Sequence, residues 1–238
     1  MQQYFCDAEL AVGSVYEFTK EQAHHAGTVL RMHDETIRLV HDGKAYFGTV
    51  YSEGKRVYAT VDKEDDRVNE LPVDITLCMA LIRREKMELV LQKAAELGVK
   101  RIIPFESSRC VVHERKEKKD KLMARWNTIL LEASAQCKRN VVPELLEVVP
   151  FSKLAGYESD VRMLAFENAR YSGKKIKDVV KGAASMLVVI GPEGGFSLEE
   201  AESLINCGFH AVTLGNRILR AETAALYACS VIGECFGE

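Results

Sequence analysis

The chain has 238 residues, of which 47% are hydrophobic and 28% are charged, and it contains 16 Gly, 5 Pro and 7 Cys. This composition excludes a collagen, a disulfide-stapled miniprotein and a disordered chain, and the length suits one large domain or two modest ones. The cysteines are odd in number and never spaced C-x-x-C, and no apolar run approaches the roughly 20 residues that span a bilayer. We therefore expect a cytoplasmic protein with reduced thiols, no membrane segment and no metal site.

The net charge of −3 conceals an uneven distribution along the chain. Residues 1–72 carry 8 basic against 13 acidic side chains, residues 83–139 carry 15 against 8, and residues 140–238 carry 9 against 13. A basic block between two acidic ones is expected of a protein that binds a polyanion. The alternative is a solvated helix surface with its own salt bridges, which we favour for the run 114–121 taken alone.

The first seventy residues predict a small β domain. Thr19 and Gln22 have the spacing of a capping box that opens a short helix through Leu30. A charged stretch followed by Pro72 marks the boundary, so we expect one domain at 1–72 and a second at 73–238. Segments rich in β-branched and aromatic residues, separated by Asp-Gly and Glu-Gly turn signals, predict strands at 36–41, 45–51 and 56–61.

From residue 73 the pattern changes to alternating strands and helices. The strands are almost continuously apolar, which is typical of a parallel sheet covered on both faces, so this domain is predicted to be α/β. The predicted strands are 75–82, 101–105, 163–166, 186–190 and 211–214. The predicted helices are one that ends at Leu97, one at 121–137, and two at about 197–206 and 222–235.

Two loops after predicted strands carry the residues most suited to chemistry. The first is GPEGGFS at 191–197, where glycines let the backbone approach a ligand and Ser197 with Glu200 forms a second capping box. The second is LGNRILR at 214–220, which interleaves arginines with apolar residues. Ligands bind at the carboxyl ends of strands in open α/β sheets, so the two loops can converge on one site. The alternatives are a plain turn for the first loop and surface ion pairs for the second.

These segments resemble the bacterial 16S ribosomal RNA uracil-N3 methyltransferases of the SPOUT superfamily. The two longest matches are GPEGGFSLEE at 191–200 and LGNRILRAETAAL at 214–226. Shorter matches upstream are KAAELG at 93–98, IPF at 103–105 and EASAQCKR at 132–139. The resemblance covers almost the whole chain. It implies a C-terminal SPOUT domain with a trefoil knot, a small PUA-like β-barrel domain for RNA binding at the N-terminus, and a homodimer.

The resemblance also implies a reaction and its residues. S-adenosyl-L-methionine would donate a methyl group to N3 of a specific uridine in 16S ribosomal RNA of the small subunit. The implied catalytic residues are Arg220, Glu222 and Thr223. The implied cofactor-binding residues are Phe166, Glu167, Ile190, Gly191, Glu193, Gly195, Leu214, Gly215, Ile218 and Leu219. The implied RNA-binding residues are Gln136, Lys138, Arg139 and Arg217, and Lys138 stands where the family commonly has glycine.

Three other functions are compatible with the same residues. A non-catalytic RNA-binding or ribosome-assembly module would bind RNA but no methyl donor. A SPOUT enzyme for another nucleoside, such as a tRNA ribose, would give a different product. An α/β enzyme that uses the GPEGG loop for phosphate would bind ATP instead, although the loop lacks the Gly-Lys-Ser/Thr of a P-loop. The methyltransferase is our leading hypothesis.

Overall fold

The computed structural model describes residues 1–111, 119–166, 168 and 173–237, and its chain divides into two compact units. The N-terminal unit comprises Met1–Glu70 together with Ser134–Val141, and the C-terminal unit comprises Leu71–Ala133 and Val142–Glu238. The first division falls close to the boundary expected at Pro72. The assignment of Ser134–Val141 to the N-terminal unit was not predicted, because it depends on long-range hydrogen bonds that local sequence patterns do not reveal.

The N-terminal unit is built on a five-stranded sheet in the order β1-β3-β4-β5-β2. Strands β1 and β3 are parallel and the other pairs are antiparallel. Alternate side chains of the two long hairpin strands, such as Val50 and Ala59, are buried in the unit's hydrophobic core. The strands are β1 Gln3–Phe5, β2 Val15–Glu17, β3 Thr36–His41, β4 Lys44–Glu53 and β5 Arg56–Asp65.

This sheet is open rather than a closed barrel, which corrects the expected β-barrel. Its end strands β1 and β2 pair only with β3 and β5 among the described residues. The predicted capping box at Thr19 and Gln22 is present and opens α1, Lys20–Ala23. The helix continues to Val29 as a π-helix rather than as the α-helix that the sequence predicted.

A buried arginine holds Ser134–Val141 in the N-terminal unit. The side chain of Arg38, on β3, is fully buried and donates a 2.7 Å hydrogen bond from Nε to Asp65. Its remaining nitrogens donate to Gln3 Oε1, to the carbonyl of Lys138 and to Asn140 Oδ1 at 2.6–3.0 Å. A buried charge is tolerated only when its donors are satisfied in this way. The network therefore attaches residues 138–140 to the sheet.

The C-terminal unit is an α/β structure around an eight-stranded parallel sheet, as predicted. The central strand order is β11-β13-β10-β12-β6-β7-β8, and β9 pairs with β7. Helices cover the sheet, and its core contains nearly every residue of β6 and β12. The strands are β6 Asp74–Ala80, β7 Arg101–Glu106, β8 Glu144–Leu145, β9 Val149–Pro150, β10 Val161–Ala165, β11 Lys174–Lys175, β12 Ser185–Ile190 and β13 His210–Thr213. The helices are α2 Arg84–Glu96, α3 Lys119–Gln136, α4 Ile176–Val179, α5 Leu198–Asn206 and α6 Ala221–Phe236, with a 3-10 helix at Phe151–Gly156.

All five strands predicted for this unit are present, with ends that differ by one or two residues. The short elements β8, β9, β11 and α4 were not predicted, because two to four residues carry no periodicity. No helix in the described ranges is long and apolar enough to cross a membrane. No group of metal-ligating side chains occurs in those ranges either. All seven cysteines are free, and burial raises the pKa of the Cys229 thiol to about 12.

Candidate active site

A cavity of about 680 Å³ opens at the carboxyl ends of the parallel strands in the C-terminal unit. The segments that follow β6, β7, β10, β12 and β13 all contribute to its wall. This is the edge at which open α/β sheets bind their ligands. Its lining residues are Arg83, Lys86, Arg109, Val111, Ala165, Phe166, Leu214, Gly215, Ala221, Ala224, 190–196 and 217–220.

The loop 191–197 joins β12 to α5 along one side of the cavity. Ser197 accepts a hydrogen bond from the backbone N–H of Glu200, and the Glu200 carboxylate accepts one from the Ser197 N–H, so the predicted capping box is present. Gly195 has a φ of +65°, in the left-handed region that favours glycine, and a Cβ there would meet no atom within 4 Å. The backbone therefore faces open space where a ligand can approach.

The loop 214–220 also lines the cavity and leads into α6. Gly215 has a φ of +114°, and its N–H donates to the Thr213 hydroxyl at 3.2 Å. Ile218 is 83% exposed and lines the cavity, so its side chain is available to contact a ligand. Arg217 and Arg220 are exposed as well, and neither guanidinium has an ion-pair partner among the residues that the structure describes.

The predicted cofactor-binding residues converge on this cavity. The lining includes Phe166, Ile190, Gly191, Glu193, Gly195, Leu214, Gly215, Ile218 and Leu219. The remaining predicted residue, Glu167, lies outside the described residues. Two of the predicted substrate-side residues, Arg217 and Arg220, also line the cavity.

Glu222 and Thr223 are not among the lining residues. Thr223 is exposed on the first turn of α6. The side chain of Glu222 is only 13% exposed, and its Oε2 lies 3.3 Å from the ammonium of Lys86, which does line the cavity. Within the described part of the chain, no group donates a hydrogen bond to this buried oxygen. Glu222 therefore contacts the cavity wall through Lys86.

The predicted RNA-binding residues Gln136, Lys138 and Arg139 belong to the N-terminal unit and do not line the cavity. Gln136 is exposed. Arg139 is only 3% exposed, and its guanidinium is hydrogen-bonded to the Glu70 carboxylate at 2.6 Å. This placement argues against a contact between Arg139 and RNA, because the guanidinium would have to leave a buried ion pair.

Lys138 adopts a backbone conformation that suits the glycine which the family resemblance implies at this position. Its φ is +67°, which glycine reaches without strain and other residues reach at a cost. Its ammonium donates to the carbonyl of Ala135, and burial, together with the charge of Arg38, lowers the pKa of this group. The Lys138 side chain is therefore partly turned back on its own segment.

The sequence analysis missed three cations of the cavity wall, Arg83, Lys86 and Arg109. Arg83 and Arg109 are exposed, and Arg109 donates a 3.2 Å hydrogen bond to the carbonyl of Gly194. A usable signal was present for Arg83 and Lys86, because Arg83 directly follows the predicted strand 75–82 and Lys86 lies four positions beyond its end. The rule that placed the two loops at the carboxyl ends of strands applies equally to these residues.

Comparisons with known proteins show the family to which the chain belongs. Residues 69–233 match the family model of the RNA methyltransferase domain. The ribosomal RNA small subunit methyltransferase E of Bacillus subtilis is 34% identical over 251 aligned positions, which cover 98% of this chain and 96% of that protein. The enzyme of the same name from Aquifex aeolicus is 34% identical and covers 84% of this chain.

Two solved structures share the complete fold. A protein from Legionella pneumophila described as a methyltransferase, in complex with S-adenosylmethionine, has a TM-score of 0.89 and 33% identity over 98% of this chain and 96% of its own. The small subunit methyltransferase E of Neisseria gonorrhoeae, also bound to S-adenosylmethionine, has a TM-score of 0.90 and 31% identity over 99% of this chain and 98% of its own. The chain therefore belongs to the bacterial small-subunit ribosomal RNA methyltransferase family that its two C-terminal motifs indicated.

Proposed function

We propose that this protein transfers a methyl group from S-adenosylmethionine to N3 of a uridine in 16S ribosomal RNA of the small ribosomal subunit. The observation that carries the proposal is the convergence of loops 191–197 and 214–220 on one cavity at the strand ends. These loops contain the two motifs that resemble the uracil-N3 enzymes. Two similar proteins, at 33% and 31% identity, hold S-adenosylmethionine in their solved structures.

The cavity suits S-adenosylmethionine in size, polarity and backbone access. A volume of about 680 Å³ is typical of a small-molecule site. Phe166, Ile190, Leu214 and Leu219 supply apolar surface for a nucleoside, and Gly195 and Gly215 keep the backbone open in both loops. Gly191, Glu193 and Ile218 complete the proposed binding residues, and Glu167 is retained from the resemblance. When bound, the cofactor supplies an electrophilic methyl group, which the uracil N3 lone pair takes as the methyl–sulfur bond breaks.

The chain's own residues must deprotonate and orient the uracil. N3 is a weakly acidic imide nitrogen, so it has to lose its proton before it can attack, and Glu222 is the proposed base. Its Oε2 lies 3.3 Å from the ammonium of Lys86, which is a residue of the cavity wall. The guanidinium of Arg220 would stabilise the negative charge that develops on the carbonyl oxygens, and Thr223 is proposed to help align the base.

The exposed cations of the cavity are suited to the RNA backbone. Arg83, Arg109, Arg217 and Arg220 all line the cavity and are exposed. A paired uracil has to be flipped out of its helix to enter such a site, and cations that hold the flanking phosphates favour the flipped state. We propose Arg217 as a phosphate contact, with Gln136 and Lys138 of the N-terminal unit as further RNA contacts.

The family resemblance supports three further proposals about organisation. We propose that the C-terminal unit contains a trefoil knot, that the N-terminal unit is a PUA-like RNA-binding domain built on its open sheet, and that the protein acts as a homodimer. We also propose a cytoplasmic location, because the proposed substrate is the RNA of the small ribosomal subunit. The proposed chemistry uses a carboxylate and a guanidinium and requires no metal.

The proposal is tested by offering labelled S-adenosylmethionine to small subunits that lack the modification, followed by reverse transcription of the 16S RNA. Methylation at N3 blocks base pairing, so we expect label in 16S RNA and a single strong stop at one uridine. Label without a stop would indicate a ribose or another position. RNA binding without label would favour the non-catalytic module, and binding of ATP without S-adenosylmethionine would favour a phosphate-binding enzyme.

A further inference from the structure

Lys86 occupies an unusual position between two carboxylates of the cavity region. It lies in the first turn of α2, and its side chain is 28% exposed. The ammonium is 3.5 Å from Glu193 Oε1 and 3.3 Å from Glu222 Oε2. Glu193 belongs to the loop after β12 and Glu222 to the first turn of α6. One cation therefore joins three separate segments of the cavity wall.

The contact with Glu222 is the more consequential of the two. Oε2 of Glu222 is buried and receives no hydrogen bond from the described residues. A buried carboxylate is costly without a compensating charge, and Lys86 supplies it. The N-terminus of α6 also favours a negative charge at this position. The helix terminus, however, does not fix the direction in which the Glu222 carboxylate points. The Lys86 ammonium, 3.3 Å from Oε2, attracts the carboxylate toward one defined position.

We infer that Lys86 is a positioning residue that holds the carboxylate of Glu222 in its working orientation and links it to Glu193 of the cofactor loop. The inference rests on the proposed function, in which Glu222 is the base. A base must lie within hydrogen-bond reach of the proton that it removes. A misplacement of about 1 Å can lower a rate by about 100-fold. Loss of the ammonium is therefore expected to affect turnover far more than ligand binding.

The link to Glu193 makes a second, independent readout possible. S-adenosylmethionine carries a positive sulfonium, and removal of Lys86 leaves two carboxylates next to its proposed site without their shared cation. We expect the Lys86→Met variant to bind S-adenosylmethionine at least as tightly as the wild type. Damage to the cavity would instead weaken binding. Isothermal titration with S-adenosylmethionine alone separates these outcomes without any measurement of catalysis.

The kinetic test compares Lys86→Met, Lys86→Gln and Lys86→Arg with a matched control on the same helix. Lys93→Met is that control, because Lys93 is similarly exposed and also pairs with a carboxylate, Glu96, away from the cavity. We expect the Met and Gln variants to lower kcat about 10- to 100-fold with little change in the KM for RNA. The Arg variant should recover part of the loss, and the control should behave like the wild type.

A double-mutant cycle with Glu222→Gln separates positioning from general damage. If Lys86 acts through Glu222, the double variant is no slower than Glu222→Gln alone. Multiplicative losses, or a Lys86→Met variant with wild-type kcat, would overturn the inference while leaving the proposed function intact. An active Glu222→Gln variant would remove both the proposed base and this inference.

Discussion

Two basic segments of the chain look alike in the sequence and differ completely in the structure. Lys138 and Arg139 lie in the N-terminal unit, where the Arg139 guanidinium is buried against Glu70. Arg217 and Arg220 lie at the cavity of the C-terminal unit, exposed and without ion-pair partners in the described ranges. Arg139 is therefore part of the fold's internal ion pairs, whereas Arg217 and Arg220 are available to a ligand. The number of arginines in a motif therefore does not show whether they can bind a ligand. The internal partners of each arginine must be known as well.

The same contrast extends to the other charged groups of the two units. Arg38 is fully buried, and Asp65, Gln3 and Asn140 satisfy its nitrogens, so nothing remains for an external partner. Arg83 of the cavity wall is exposed and has no such network among the described residues. A guanidinium whose donors are all hydrogen-bonded inside the protein can bind a ligand only if those internal bonds break. An exposed guanidinium without such bonds loses only its hydration when a ligand binds.

The largest expected effect is on the buried network of the N-terminal unit. Asp65→Asn removes the carboxylate that pairs with Arg38 and should lower the free energy of unfolding by about 3–5 kcal/mol. Urea denaturation followed by circular dichroism measures this loss. A loss below about 1 kcal/mol would show that the network is not essential to the fold.

The pH dependence of the Asp65→Asn effect provides its control. The Arg67 guanidinium, with help from Arg38, holds the pKa of the Asp65 carboxyl far below its usual range. A lowered folded-state pKa stabilises the fold above the unfolded value of about 3.9, and the stabilisation is lost as pH falls below it. The difference in the free energy of unfolding between the wild type and Asp65→Asn should be constant from about pH 7 to 5. It should become smaller below about pH 4.

The next largest effect is on RNA binding by the exposed arginines of the cavity. Arg217→Ala should weaken RNA binding and reduce the slope of log affinity against log salt by about 1, as loss of one phosphate contact does. Arg101→Ala is the matched control, because Arg101 pairs with Glu144 and does not line the cavity. Filter binding across a salt series measures both. Equal slopes for Arg217→Ala and the wild type would remove Arg217 from the RNA interface.

The smallest effect concerns the backbone of the buried basic segment. Lys138→Gly should raise the free energy of unfolding by about 1 kcal/mol, because glycine adopts a φ of +67° without steric strain. Cys137→Gly is a suitable comparison at the adjacent position. Cys137 does not have a positive φ, so glycine there should lower the free energy of unfolding. Thermal denaturation distinguishes the two. A destabilised Lys138→Gly variant would show that the side chain matters more than the backbone.

Much of the fold and one wall of the site could be predicted from the sequence because the signals are local. The apolar runs of β6, β10 and β12 and the capping boxes at Thr19 and Ser197 depend on neighbouring residues only. The position of a loop after a parallel strand then places it at the ligand edge of the sheet. This reasoning found the residues of loops 191–197 and 214–220 that line the cavity.

The remaining features depend on partners that are distant along the chain. The guanidinium of Arg139 is paired with Glu70. Residues 138–140 join the N-terminal sheet through hydrogen bonds to Arg38, Gln3 and Gly43. The lysine that contacts Glu222 is 136 positions before it, and no motif links them. The closed barrel was wrong because whether the end strands of a sheet pair with each other depends on three-dimensional curvature rather than on strand patterns.

The most direct test of the proposed site measures two properties of Arg220→Ala. Because Arg220 is exposed at the cavity and outside any internal ion pair in the described ranges, its removal should leave the fold and the dissociation constant for S-adenosylmethionine almost unchanged. Methyl transfer to small-subunit RNA should fall by about 100-fold or more, as expected for loss of a charge-stabilising group. Undiminished methyl transfer would contradict the assignment of this cavity and this arginine to the reaction.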